Sequence, residues 1–386
     1  MQKISTLFAL IFFGLFLTMG CKKTPEPSPE DPLLMNAVAS YDNDKVIINS
    51  IGSVFMGTAG PQPVDFDKTE IWVSEGSPSD LKLLETIHEK QTELTDLRPD
   101  KMYYVAVKGS KGDYWSALSA PILVIANPLK AVKTLWQPTK GSNTYLSPAS
   151  TYSLGQSQDA QTITLTHLAS GKAQKLTYKS TLLFKTWGTN SEQVIFETSA
   201  NQRRAYVIYD VVKETFSEFA LPSTAHVWLA ALSPDGKKIA YTDYNRTGNV
   251  WVYDTDTKTD KKTALPQPYD MEWTNDSRAL LVHRYGATSQ ESQEVVLYDV
   301  QKDAVTKALF TTPYKNSLQS PKLSPSGNQL LFSSTLSGQP HLWLYDLRTE
   351  KLRPVLKSTF QFGWLSASEF YAVEEGAAPK VLLYQN

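Results

Sequence analysis

The chain has 386 residues, 41% hydrophobic and 20% charged, which is enough for a sizeable core and more than one domain. Its formal net charge of −1 gives no electrostatic reason to expect nucleic acid as a partner. A single cysteine excludes an intrachain disulfide and any Cys-based metal site.

Residues 1–20 carry Lys3 at the positive end, then an apolar run from Leu7 to Leu17 of signal-peptide length, short for a membrane span. Leu17-Thr18-Met19-Gly20-Cys21 resembles the bacterial lipobox. The resemblance implies lipid on the Cys21 thiol, with cleavage leaving Cys21 as the new N-terminus and the membrane as a partner. An ordinary secretory signal with an incidental cysteine is the alternative. In such lipoproteins Asp after the cysteine marks inner-membrane retention. Lys22 stands there instead, so the expected location is the cell envelope, anchored in the outer membrane and facing the periplasm or the surface. Residues 21–32 continue as a charged, Pro-rich tether, KKTPEPSPEDP, whose extended reach is roughly 35 Å at ~3.1 Å per residue.

Residues 33–127 read as a separate all-β domain. Val46–Ser50, Thr69–Ser74 and Tyr103–Lys108 alternate as strands do, Ile122–Ile125 supplies a last one, and Ser53–Asp67 reads as an enlarged loop. Leu97-x-Pro99-x-x-x-Tyr103 followed by YVAVKG and WSALSAP resembles the end of a fibronectin type III domain. That resemblance implies a sandwich in which the Tyr103 hydroxyl bonds back to upstream backbone. It is good from Thr69 to Pro121 and poor before, where the usual strand-B Trp is missing. Asn127-Pro128 marks the boundary.

Residues 128–386 are organised by a repeat. Ser233-Pro234-Asp235-Gly236 is turn chemistry, Lys238–Thr242 a half-buried strand, and Val250–Tyr253 a second strand closed by Asp254. The same order recurs from Leu146, Trp187, Leu232, Trp273, Leu323 and Trp364, at successive spacings of 41, 45, 41, 50 and 41 residues. Several short strands at a period of ~40–50 residues signal a β-propeller. Tyr-Asp closes the third strand at Tyr209-Asp210, Tyr253-Asp254, Tyr298-Asp299 and Tyr345-Asp346.

The SPDG…IAY…VWVYD pattern resembles the TolB-type, WD-like propeller repeat, which also occurs beside the catalytic domain of prolyl oligopeptidases. It covers residues ~131–386 and implies six four-stranded blades. The last copy stops after its third strand at Lys380–Tyr384, so Ala131–Trp136 is expected to complete it as the outer strand and avoid an open edge. The expected fold is therefore all-β: a fibronectin type III-like sandwich, then a six-bladed propeller closed by an N-terminal outer strand.

No catalytic signature is present: no G-x-S-x-G, no H-E-x-x-H, no phosphate loop and no dinucleotide fingerprint. The five histidines lack ligand spacing, and Asp254, Asp256 and Asp260 read as a solvated turn, so no cofactor or metal is expected. Loops joining second to third strands share one rim and carry Arg203, Arg204, Tyr244, Arg246, Arg284 and Tyr285. His226, Trp228, Tyr269 and Tyr314 join the same rim from the connections between repeats. Arg grips carboxylate or phosphate bidentately, and Tyr adds rigid contact area. Solubilising loop tips are the plainer account of these charges. The expectation is a monomeric, non-enzymatic envelope scaffold binding a protein, peptide or cell-wall ligand. The alternative is a polysaccharide lyase or hydrolase whose carboxylate site the sequence does not assign.

Overall fold

A computed structural model of the chain describes residues 33–42, 45–55, 61–99, 101–137, 142–147, 151–157, 159, 162–188, 192–200, 203–219, 227–243, 248–266, 268–285, 292–312, 317–357, 361–374 and 380–385. The signal-like stretch, Cys21 and the tether lie outside the described residues. Every regular element among the described residues is a β-strand.

The first nine strands are Leu33–Asp42 (β1), Lys45–Phe55 (β2), Pro61–Pro63 (β3), Lys68–Glu75 (β4), Lys82–Ile87 (β5), Gln91–Leu94 (β6), Met102–Lys111 (β7), Tyr114–Trp115 (β8) and Ile122–Ile125 (β9). They form one sheet of β1, β2, β3 and β6 and another of β4, β5, β7, β8 and β9. Period-two alternation turns Met35, Ala37, Ala39, Val46 and Ile48 of the first sheet toward Ile71, Val105, Val107 and Val124 of the second in a shared core. The Tyr103 hydroxyl accepts the Arg98 amide N–H at 3.0 Å. The expected loop Ser53–Asp67 is instead partly strand, since Ser53–Phe55 pair with Pro61–Pro63. The two prolines hid this; they are tolerated because β3 is an edge strand needing no second ladder.

The remaining strands build six four-stranded antiparallel sheets. Lys133–Trp136 (β10) stands apart in sequence. Sheet I holds Ser142–Leu146 (β11), Tyr152–Ser157 (β12), Ile163–His167 (β13) and Ala173–Leu176 (β14). Sheet II holds Leu182–Trp187 (β15), Gln193–Ala200 (β16), Arg203–Asp210 (β17) and Thr215–Phe219 (β18). Sheet III holds Val227–Leu232 (β19), Lys238–Asp243 (β20), Asn249–Asp254 (β21) and Thr259–Pro266 (β22). Sheet IV holds Asp270–Trp273 (β23), Ala279–Tyr285 (β24), Gln293–Asp299 (β25) and Ala304–Thr311 (β26). Sheet V holds Leu318–Leu323 (β27), Gln329–Ser334 (β28), His341–Asp346 (β29) and Lys351–Lys357 (β30). Sheet VI holds Phe362–Trp364 (β31), Glu369–Glu374 (β32) and Lys380–Gln385 (β33), and its fourth strand is β10, antiparallel to β33. None of these sheets closes on itself; each keeps two edge strands.

Local chemistry explains the recurring turns. The carboxylates of Asp210, Asp254, Asp299 and Asp346 each accept the amide N–H groups two and three residues on, at 2.8–3.1 Å. The turn then closes through a left-handed residue, Glu214, Lys258, Asp303 or Glu350, with φ of 54–57°. The Tyr before each Asp is buried or half-buried, and the Asp lies at the surface. In the SPDG turn the Ser233 hydroxyl accepts the Lys238 amide at 2.8 Å, while Gly236 sits at φ 72°. Thr274 and Ser277 (φ 57°) do the same work in the Trp273 copy, so that copy manages without Pro or Gly.

Apolar clusters fill the spaces between consecutive sheets: I with II around Trp187, II with III around Tyr241, III with IV around Trp273, IV with V around Trp343, and V with VI around Trp364. A further cluster joins Leu146 of sheet I to Tyr371, Val373 and Val381 of sheet VI, with Leu135 and Trp136 of β10 against it.

The first region is packed onto sheets IV and V. Tyr104, Leu123 and Ile125 share a core with Leu309, Phe310, Leu318, Leu336 and Trp343. The turn between β28 and β29 enters between the two sheets of the first region. Ala39 N–H donates to the Ser337 carbonyl at 2.9 Å, and Leu123 N–H donates to the Leu336 carbonyl at 2.7 Å. Gly338 (φ 81°) is required there, because a Cβ would strike the Ala37 carbonyl and come within 3.1 Å of Val38 Cα.

Candidate functional site

A polar constellation lies where the first strands of sheets IV and V face each other. In β23, Met271 and Trp273 point into the cluster shared with sheet III. Strand alternation therefore puts Asp270 and Glu272 together on the other face. Glu272 forms an ion pair with Lys322 of β27 and bonds to the Leu323 backbone. Both partners sit among strands, yet Lys322 and Glu272 keep 36% and 29% of their side-chain surface accessible.

Burial pushes the Glu272 carboxyl up, against the attraction of Lys322. Burial alone would lower Lys322; Glu272 and Asp270 together outweigh it and hold the ammonium above its ordinary range. Tyr371, bonded to the Leu146 backbone and near Lys322, is pushed up to about 12 by burial.

Asp270 lies opposite His283 in the β23–β24 register. Its carboxylate accepts the Met271 amide at 2.9 Å, its one hydrogen bond among the described residues, and burial pushes its pKa up. His283 Nε2 lies 3.1 Å from Gln293 Oε1, which also accepts the Leu318 amide at 2.7 Å. That oxygen is an acceptor, so Nε2 carries the ring proton. Burial pulls the His283 pKa down and keeps the ring neutral.

Above His283 stand Tyr269 and Tyr285. Tyr269 lies 5.1 Å from the His283 ring and 4.7 Å from Tyr285, edge-on at 68°. The pair is 41% and 50% exposed, and burial with the Tyr285 hydrogen bond pushes Tyr269 up to about 12. Tyr269 thus links the exposed Tyr285 ring to His283, whose register partner Asp270 shares its face with Glu272 of the ion pair.

Of the residues singled out from sequence, Tyr285 ends β24 half exposed. Arg284 is not a free grip: its Nε donates to Glu294, its cross-strand neighbour, at 2.7 Å, and only 20% of the side chain is accessible. Arg203 and Arg204 open β17 rather than sit in a loop. Tyr244, Arg246, His226 and Tyr314 lie outside the described residues, as do the side chains of Arg203, Arg204 and Trp228. The equivalent turn of sheet V, next to His341, is buried against β1 and β9 rather than presented to solvent. Asp254 serves its own turn, Asp260 accepts the Tyr241 hydroxyl at 2.7 Å, and no cluster of three metal-ligating side chains exists among the described residues. Asp270, Glu272 and Lys322 were missed. The signal was Tyr269-Asp270-Met271-Glu272-Trp273, a strand with two acids on the face opposite its core Trp.

No family model and no curated protein matches the sequence. Similar solved structures include TolB from Acinetobacter baumannii, at 12% identity over 85% of this chain and 83% of that one, with a TM-score of 0.42. The putative TolB from Agrobacterium tumefaciens is 11% identical over 83% and 98%, with a TM-score of 0.47. The Cps50 (Swd1) β-propeller domain of Myceliophteria thermophila is 13% identical over 75% and 91%, with a TM-score of 0.44.

Proposed function

We propose that the chain is a cell-envelope binding scaffold in which sheets I–VI are the blades of a six-bladed propeller, carried by a fibronectin-like sandwich and anchored by lipid on Cys21. The pairing of β10 with β33 supports ring closure, as do the Thr144 amide bond to Gln361 Oε1 at 2.9 Å and the apolar cluster between sheets I and VI. The change from two facing sheets to serial four-stranded ones supports domain limits at 33–127 and 128–386. The sandwich seated on sheets IV and V leaves the Tyr269–Tyr285 end of sheet IV exposed to a protein, peptide or cell-wall ligand.

The observation that carries this reading is the exposed Tyr269–Tyr285 pair, two rigid rings held at the surface beside a polar interior. A polysaccharide-cleaving enzyme would need two carboxyls free to face a sugar. Asp270 and Glu272 share a face, but Lys322 occupies Glu272, which weighs against that alternative. The test is affinity capture from detergent-solubilised envelope, with wild type against the Tyr269→Ala/Tyr285→Ala double variant. A partner retained by wild type and lost by a normally folded variant is expected. Identical captured sets would overturn the rim assignment.

A further inference from the structure

We infer that Asp270, together with Tyr269 and Tyr285 above it, forms a binding site for an organic monocation: a primary ammonium or guanidinium group. The inference deepens the rim reading and rests on it. Three observations converge. Asp270 is partly buried, has a single hydrogen bond from the adjacent amide, and has no ion pair among the described residues, so one carboxylate oxygen has no described partner. Asp270 and Glu272 share one ammonium, Lys322, and His283 is uncharged, so with both carboxylates ionised the column carries one net negative charge. The entrance is two exposed tyrosine rings, whose negative faces attract a cation and whose bodies pack against its alkyl stem.

Alternatives fit less well. An anion would meet Asp270 before reaching Lys322, which Glu272 already engages. A divalent metal ion would find one carboxylate where it wants several oxygen ligands, and no such cluster exists among the described residues. A neutral hydrophobe would leave the carboxylate desolvated and unpaired.

The cation could belong to a free amine or to a lysine or arginine of a peptide, and the experiment separates the two. The full chain is titrated by NMR and calorimetry with n-butylammonium, Nα-acetyl-lysine amide and the uncharged isostere Nα-acetyl-norleucine amide. The lysine amide is expected to bind at least about tenfold more tightly than the norleucine amide, as a charge-assisted contact implies. Asp270→Asn should remove that preference, Asp270→Glu should retain part of it, and Tyr285→Ala should weaken both amides. Equal binding of butylammonium and the lysine amide identifies a free amine as a sufficient ligand, and tighter binding of the amide identifies a peptide-borne one. The inference is overturned if the two amides bind alike, if Asp270→Asn keeps the preference, or if no cation binds at roughly tens of millimolar. Envelope capture that depends on Tyr269 and Tyr285 without any cation preference would sink this site and leave the rim reading intact.

Discussion

The indole N–H of Trp364 donates to the carbonyl oxygen of Lys322 at 2.9 Å, tying the first strand of sheet VI to the first strand of sheet V. Trp273 makes the same bond to Ala231 at 2.9 Å, and Trp187 to Tyr145 at 3.3 Å, each across 42 residues. Leu146, Leu232 and Leu323 hold the corresponding position in the alternate sheets and bring no indole N–H there. Every second junction thus carries a tryptophan-to-carbonyl bond.

Trp364→Phe keeps most of the packing but leaves the Lys322 carbonyl without its donor. The expected loss is about 1–3 kcal/mol, read as a lower urea midpoint at unchanged m-value. An unmoved midpoint would mean that water replaces the indole at no cost.

Lys322→Met strands Glu272 among the strands. A fully buried pair broken this way costs about 3–5 kcal/mol; because both groups reach water, about 2–3 is expected here. Adding Glu272→Gln should recover most of the loss. A double variant as unstable as the single one would show that Lys322 acts through packing rather than charge.

Asp270→Asn should stabilise the protein at neutral pH. Burial raises the folded pKa of Asp270 above its unfolded value, so its ionised form weakens the fold above the folded pKa, and the penalty fades as pH falls below the unfolded value. The advantage of the Asn variant should therefore shrink toward pH 3. Chemical denaturation at pH 7, 5 and 3 checks the sign, and an advantage that grows in acid refutes it.

Gly338→Ala places a methyl group against the Ala37 carbonyl on a backbone that already favours glycine. It should prise the first region from sheet V and expose the turn between β28 and β29 to protease. Sheets I–III, remote from the contact, should keep their hydrogen-exchange protection. Uniform loss of protection would mean that the two regions unfold as one unit.

Lys258→Gly relieves a left-handed lysine at φ 57° and should raise stability by about 0.5–1 kcal/mol after glycine's extra chain entropy. Thermal melts in parallel with Glu350→Gly, at φ 56°, test whether the turns are equivalent.

Much of this architecture was legible because its signals are local. Alternation marked the strands around Lys238–Thr242 and Val250–Tyr253, and the Tyr-Asp pairs marked turns whose carboxylates bind amides only two and three residues away. The Tyr103 hydroxyl bond to upstream backbone was expected only through the fibronectin type III resemblance, and its partner is the Arg98 amide. The strand at Pro61–Pro63 was not, because proline reads as loop until an edge position excuses it. The candidate site was largely hidden. Arg284 looked available until its neighbour across the ladder, Glu294, was seen to hold it.

By itself the sequence determined that this is an all-β chain of serial strands, which residues face a core, and where the turns fall. Those properties follow from period two and from hydrogen bonds spanning a few residues. Only the tertiary structure decided that Glu272 meets Lys322, that Asp270 lies opposite His283 beneath two tyrosines, and that the sheet V turn is used up in holding the first region. Alternation says which face a side chain takes; what it meets there depends on how separate sheets stack, and no local pattern encodes that.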